Sequence, residues 1–279
     1  MIFLKTPFFR IVSALLLTVL LSGISKKLST RNPKDIRFKQ GDIIVEHTTV
    51  TEVKPDLIAT VRLKLTGCDS ANINGFLYYN FLGGEERKIA MEYSGDGYFS
   101  AILPRGHIGD RLFYRIELTD ERSVLAKIPQ NGRKGFLVKY KGNISPYVLI
   151  PHIILIFASL FIAFLTFFYG VKILKGDDCV KQAAVLVLLT FLFSLIGGIL
   201  IGVEVTRQTF NEGWGGYPIG RDVTDTKTEI FVFFWLVTLI FGWNALRGKQ
   251  MIISDKTFGI LIVASFSINL LAFLIPHSL

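Results

Sequence analysis

Residues Tyr147–Val171 read YVLIPHIILIFASLFIAFLTFFYGV, without one Asp, Glu, Lys or Arg. Three more such runs follow, at 182–203, 230–246 and 258–275. Each holds about 17–25 residues, and at about 1.5 Å per helical residue that length crosses a hydrocarbon core of ~30 Å. The C-terminal half therefore predicts an α-helical bundle of four transmembrane helices, with the lipid bilayer as its first partner. Everything else in the chain is placed relative to that bundle.

The composition is an average over two unlike halves. The 279 residues are 51% hydrophobic with a formal net charge of +9. Residues 26–145 carry most of the charge and residues 146–279 most of the Leu, Ile and Phe, a split that predicts a multi-domain membrane protein rather than one globular domain. The basic residues are scattered through strand-like stretches or flank the apolar runs, where Lys and Arg set orientation. A nucleic-acid binder concentrates them on one face with interleaved aromatics, so no nucleic-acid partner is expected. The two cysteines, Cys68 and Cys179, fall in different halves, and no CxxC pair suggests a metal or a redox couple. They are expected to be unpaired thiols.

The N-terminus carries its own apolar run, Ile11–Leu21, after Lys5 and Arg10. It is short for a span and suits an export signal, with Gly23 and Ser25 as the small residues before a cleavage site. Phe8 and Phe9 lengthen it toward an uncleaved anchor. Residues 1–25 are thus a signal peptide or a signal anchor, and the bundle has five helices if they are retained. Short loops rich in Lys and Arg stay cytoplasmic. Such loops are Lys172–Lys181, with Lys172, Lys175 and Lys181, and Arg247–Thr257, with Arg247, Lys249 and Lys256. The expected location is the cytoplasmic membrane, multi-pass, with residues 43–142, the loop 204–229 and the C-terminus on the external or periplasmic side. The basic cluster Lys26, Lys27, Arg31 and Lys34 runs against the rule, which weakens before a long exported domain.

After a linker at 26–42, residues 43–142 read as short alternating strands: Ile43–Val50, Leu57–Leu65, Gly75–Phe81, Arg87–Tyr93, Tyr98–Leu103, Arg111–Leu118, Ser123–Ile128 and Phe136–Lys141. Gly, Pro and Asp punctuate them, as in Gly83-Gly84 and Ser94-Gly95-Asp96-Gly97. The pattern predicts an antiparallel, all-β sandwich. The stretches Phe76-Leu77-Tyr78-Tyr79, Gly97–Pro104 and Gly109–Asp120, with Met91 between, resemble bacterial immunoglobulin-like or fibronectin-III-like modules. These often end in a strand of the form GD-x-x-x-Y-x-I-E-x-x-D. That resemblance covers this domain alone and implies a buried core or corner role for Tyr114. His47 and His107 are far apart in sequence, and turn chemistry suffices for Asp96, Asp110 and Asp120. No catalytic set is visible.

In the bundle, Ser194, Gly198 and Gly202 recur every four residues, a spacing that lets helix backbones approach closely, within the chain or between copies. Asn244 and Asn269 are candidates for hydrogen bonds between helices. No charged residue lies at mid-membrane depth and the halves do not repeat, which argues against an ion-coupled transporter. The one unusual connector is 204–229, long and rich in Gly, Trp and charge. Its segment Gly213–Glu229 resembles loops of bacterial polytopic membrane proteins, a likeness that implies no activity. Trp214 and Tyr217 fit an interfacial aromatic belt, and Thr226 and Glu229 match a capping box at the start of the next helix. Pro151-His152 and Pro276-His277 fall at matching depth by topology. If the loop folds back over the helix ends, Glu204, Asp222 and Asp225 join His152 and His277 as candidate ligands of a divalent metal. His152 and His277 alone are the candidate ligands of a haem b.

The expected function is that of a membrane-anchored interaction or accessory subunit of an envelope complex, with a protein partner and no chemistry of its own. The rivals are a haem- or metal-dependent redox subunit with a site at the outer face and, more distantly, a transporter component.

Overall fold

Leu112, Tyr114, Ile116 and Leu118 occupy every second position of Arg111–Thr119, and all four are buried. Strand alternation sends them to one face, and that face is the centre of a hydrophobic core. The computed structural model describes residues 6–30, 32–120, 123–130, 135–219 and 223–275. The chain divides into two compact units: Arg31–Asn143 with Gln208–Glu212, and Met1–Thr30 with Ile144–Arg207 and Gly213–Leu279.

The first unit is β-rich. Its strands are β1 (Asp35–Gln40), β2 (Ile43–Thr48), β3 (Glu52–Val53), β4 (Thr60–Thr66), β5 (Asn74–Phe81), β6 (Arg87–Ala90), β7 (Glu92–Tyr93), β8 (Tyr98–Ile102), β9 (Arg111–Thr119), β10 (Val124–Ile128) and β11 (Phe136–Tyr140). One sheet has the order β1-β2-β4-β8-β7, the other β3-β11-β9-β5-β6. Pairing is antiparallel except between β11 and β3. Strands β11 and β10 share one edge of β9, β11 beside Arg111–Tyr114 and β10 beside Ile116–Thr119. Val45, Leu63 and Phe99 from one sheet join Leu77, Tyr114 and Val138 from the other in a single core. The arrangement is compatible with a β-sandwich.

The strand boundaries depart from the sequence reading in at least four places, one of them the short β3, which that reading did not contain. The linker at 26–42 contains β1, whose Phe38 faces Val45 of β2 across the pair. Leu57 and Ile58 precede β4 instead of opening it, and both are exposed. The run 87–93 is two strands, β6 in one sheet and β7 in the other. The crossing point is Met91, which is buried and donates its N–H to Gly75 O.

Among the described residues five helices are long and apolar enough to cross a membrane, and they make up the second unit apart from the last residues of the third: α1 (Pro7–Ser29), α2 (Pro146–Leu174), α3 (Val180–Phe210), α4 (Val223–Leu246) and α5 (Asp255–Leu274). This is the architecture of a multi-pass membrane protein. Helix α1 packs on α2 and α5. Its buried residues, Arg10, Ala14, Thr18, Leu21 and Ser25, recur at three- and four-residue steps and so form one face. The helix runs unbroken through Gly23 and Ser25.

Hydroxyls in an apolar surround must find their partners within the protein: Thr166, Thr190, Thr238 and Ser265 donate to backbone carbonyls, and among the described residues three hydroxyl pairs also meet between helices. Ser159 meets Ser194 at 2.8 Å and Thr166 meets Thr190 at 3.2 Å between α2 and α3; Thr238 meets Ser265 at 2.7 Å between α4 and α5. A Cβ on Gly170 would lie 2.6 Å from Ile262, so α2 and α5 touch through glycine. Of the predicted small stripe, Ser194 and Gly198 pack against neighbouring helices, whereas a Cβ on Gly202 would meet Gly197 O of its own helix, at 3.9 Å. The asparagines do not link helices: Asn244 donates to Gln250 O in the turn after α4. Asn269 is fully buried with no hydrogen-bond partner among the described residues.

Candidate functional site at the α3–α4 end of the bundle

The connector between α3 and α4 is shorter than the sequence suggested. Helix α3 continues to Phe210 and α4 is already helical at Val223. Thr226-Lys227-Thr228-Glu229 is therefore part of the helix and not a capping box, and Asp225 and Lys227 are buried within α4's first turns. A polar helix start survives burial only when its groups find partners, and the preceding loop supplies them.

Gly215 donates its N–H to Asp225 Oδ2 at 2.8 Å, and Tyr217 donates its N–H to Thr226 Oγ1 at 3.1 Å. The Trp214 indole donates to Glu229 Oε1. Gly216 must be glycine here: a Cβ would stand 2.7 Å from the Trp214 indole nitrogen and 3.0 Å from Asp225 Cβ. The segment 214–217 thus folds back onto α4. Lys227 reaches across and donates to Ile275 O at 2.6 Å, tying the start of α4 to the end of α5.

His152 sits in the second turn of α2. Its Nδ1 lies 2.8 Å from Gly197 O, so it donates there and keeps Nε2 as the open nitrogen. Gly197 belongs to a π-helical segment, Leu195–Leu200, inside α3. A Cβ on Gly197 would lie 2.6 Å from Leu155 Cβ, so α2 presses directly on this widened turn. The adjacent Gly197-Gly198 was the available sequence signal for it, since π-bulges interrupt the normal hydrogen-bond ladder.

Glu204 pairs with Arg207 one turn later, at 2.8 and 2.9 Å. Of the predicted ligands, then, His152 is held by α3's backbone, Glu204 by Arg207 and Asp225 by Gly215. Asp222 and His277 lie outside the described residues. Among the described residues no three of His, Cys, Asp and Glu come together. The sequence reading missed the two contacts that organise this end, Trp214 with Glu229 and Lys227 with Ile275, because each joins residues far apart in the chain. No protein-family model matches the chain, and no curated protein compared with it matches either.

Proposed function

We propose that this protein is a membrane-anchored interaction or accessory subunit of the cell envelope. Its five-helix bundle carries an immunoglobulin-like β unit on the external side of the cytoplasmic membrane. Helix α1 is retained as an anchor: Ser25, the residue before the predicted cleavage point, is buried in a continuous helix whose inner face packs on α2 and α5.

The observation that carries this reading is a groove on the β unit with a volume of about 630 Å³. Val50, Val53, Leu57, Ile58 and Ala59 line it, with Glu52, Lys54 and Lys141 at its polar rim. Leu57 is 57% and Ile58 64% exposed. Apolar side chains held out of a core and ringed by charge are what a protein partner covers. A photo-crosslinking residue at Leu57 or Ile58 should give one discrete adduct in native membranes, and Leu57→Asp with Ile58→Asp should abolish it. The same adducts from a crosslinker at Lys88, elsewhere on the unit, would defeat the reading.

One observation favours a second reading, a haem b or divalent metal bound at the α3–α4 end. A histidine that gives one ring N–H to a backbone carbonyl presents the other nitrogen to a metal in a fixed direction, and His152 is held in this way. His277 is its proposed counterpart for a haem. For a metal, Asp222 is the proposed oxygen donor, because Glu204 and Asp225 are engaged by Arg207 and Gly215 and do not gather with His152. A visible absorption band, or stoichiometric metal lost in His152→Ala, supports this reading; protein free of both excludes it.

A further inference from the structure

Arg10 is a buried charged side chain of the bundle with no counter-ion among the described residues. Arg10 of α1 is 6% exposed, and its Nη1 is enclosed with no hydrogen-bond partner among the described residues. Its guanidinium carbon stands 4.7 Å from the ring centroid of Tyr169 on α2. A cation–π contact steadies the charge but leaves the N–H donors unfilled. A buried guanidinium in that condition calls for an anion.

More positive charge converges on the same ring. Lys172 Nζ lies 5.8 Å from the Tyr169 centroid and 3.3 Å from Asp177 Oδ2. The chain turns at Gly176 and α3 begins at Val180. Its N-cap, Cys179, makes no side-chain capping bond, so the first turn keeps open N–H groups and a partial positive charge. Cys179 Sγ is 3.8 Å from Tyr169 O, which sets this helix start beside the same residue. Burial pushes the Cys179 thiol up, so it adds no negative charge, while Asp177 and Asp178 are the acidic groups acting on it. Asp177 is already engaged by Lys172.

We propose that Arg10, Tyr169, Lys172 and the first turn of α3 bind the phosphate of an anionic phospholipid. Arg10 lies near the beginning of α1 and Tyr169 near the end of α2, the level at which headgroups meet the helices. Ile11 and Leu15, next to Arg10 on α1, are exposed and apolar and offer a track for the acyl chains. Guanidinium suits phosphate through paired N–H donors, and basic pockets between helices at this depth take anionic headgroups. The inference rests on α1 remaining in the mature protein.

The test uses full-length protein in neutral detergent, with its intact mass measured first. Phosphatidylglycerol, phosphatidylcholine or inorganic phosphate is then titrated, and retained lipid is read by native mass spectrometry. Phosphatidylglycerol should be retained over phosphatidylcholine. Arg10→Gln and Lys172→Gln should each weaken its retention about tenfold, the loss of one charge-assisted hydrogen bond. Should Arg10→Gln fail to fold, Lys172→Gln alone decides. Equal retention of the two lipids, or variants that match the wild type, would overturn the site with α1 present. Inorganic phosphate that binds at the site and displaces the lipid would overturn a lipid in favour of a free anion. A mass lacking α1 would overturn both the site and the retained anchor.

Discussion

The imidazole Nε2 of His47 lies 2.9 Å from the phenol oxygen of Tyr114, inside the core of the β unit. The neighbouring groups determine which atom donates. His47 Nδ1 is 2.7 Å from Arg62 O, a carbonyl that only accepts, so Nδ1 carries the proton. Nε2 then accepts from the Tyr114 hydroxyl, whose oxygen accepts the Val50 N–H at 2.9 Å. The chain of bonds joins β2, β4 and β9 and leaves none of these groups empty. Tyr114 is buried as the immunoglobulin-like resemblance implied. Its backbone partner is Val50, far upstream, so it is a core tyrosine and not a corner one.

Residues 31–143 should fold alone, since the unit contains its own core. Circular dichroism of that fragment should show strand and little helix. Tyr114→Phe strips a partner from both Val50 N–H and His47 Nε2 and should cost about 1–3 kcal/mol in urea unfolding. Tyr114→Ala, which also opens a cavity, should cost about 3–5 kcal/mol. A Tyr114→Phe fragment as stable as the wild type would remove the hydroxyl from the account.

The same network predicts sensitivity to acid. Burial holds the His47 pKa below its ordinary value of 6.5, against the smaller raising effect of the Arg62 carbonyl. The folded state therefore resists a proton that the unfolded state accepts. Stability is complete above about pH 6.5 and falls as the pH drops through that value toward the lowered folded pKa. The midpoint of the fragment should decline between pH 7 and pH 5, and His47→Gln should flatten that decline. Identical slopes for the two proteins would assign the acid sensitivity to other groups.

The folded-back loop at the α3–α4 end can be tested through Asp225. Asp225→Ala leaves the buried Gly215 N–H without its acceptor, a cost of about 1–3 kcal/mol. Segment 213–219 should then be cut faster by limited proteolysis of the full-length protein. Asp225→Asn keeps an acceptor and should change the cleavage rate less. If alanine and asparagine behave alike, the hydrogen bond does not hold the loop.

Sidedness calls for a better probe than the native thiols. Cys179 is 5% exposed, so an impermeant maleimide would miss it on either side of the membrane. Lys249→Cys and Lys88→Cys, both at exposed positions, decide the matter in intact cells. The basic loops predict that Lys88→Cys is labelled and Lys249→Cys is not until the membrane is permeabilised. The reverse pattern would invert the whole topology.

The apolar runs and the alternating strands were legible in the chain because each is a local consequence of composition. A run without charges spans a bilayer whatever it packs on, and a period of two marks one buried face. The earlier helix start at Val223 and the burial of Asp225 and Lys227 were not legible. The side chains there look solvated until Gly215, Trp214 and Ile275 arrive from distant sequence to satisfy them. Strand β1 was hidden for a related reason: DIRFKQ alternates weakly, and only its register with β2 shows Phe38 facing Val45. The switch of sheets at Met91 and the widened turn at Gly197 depend on what presses against them. The sequence by itself determined a β-rich stretch and the long apolar helices that follow it. The tertiary structure decided that α1 packs as a fifth helix, that His152 points at Gly197, and that Arg10 is buried with its Nη1 unpartnered among the described residues. Those facts turn on hydrogen-bond partners brought together from remote parts of the chain, and no local pattern encodes them.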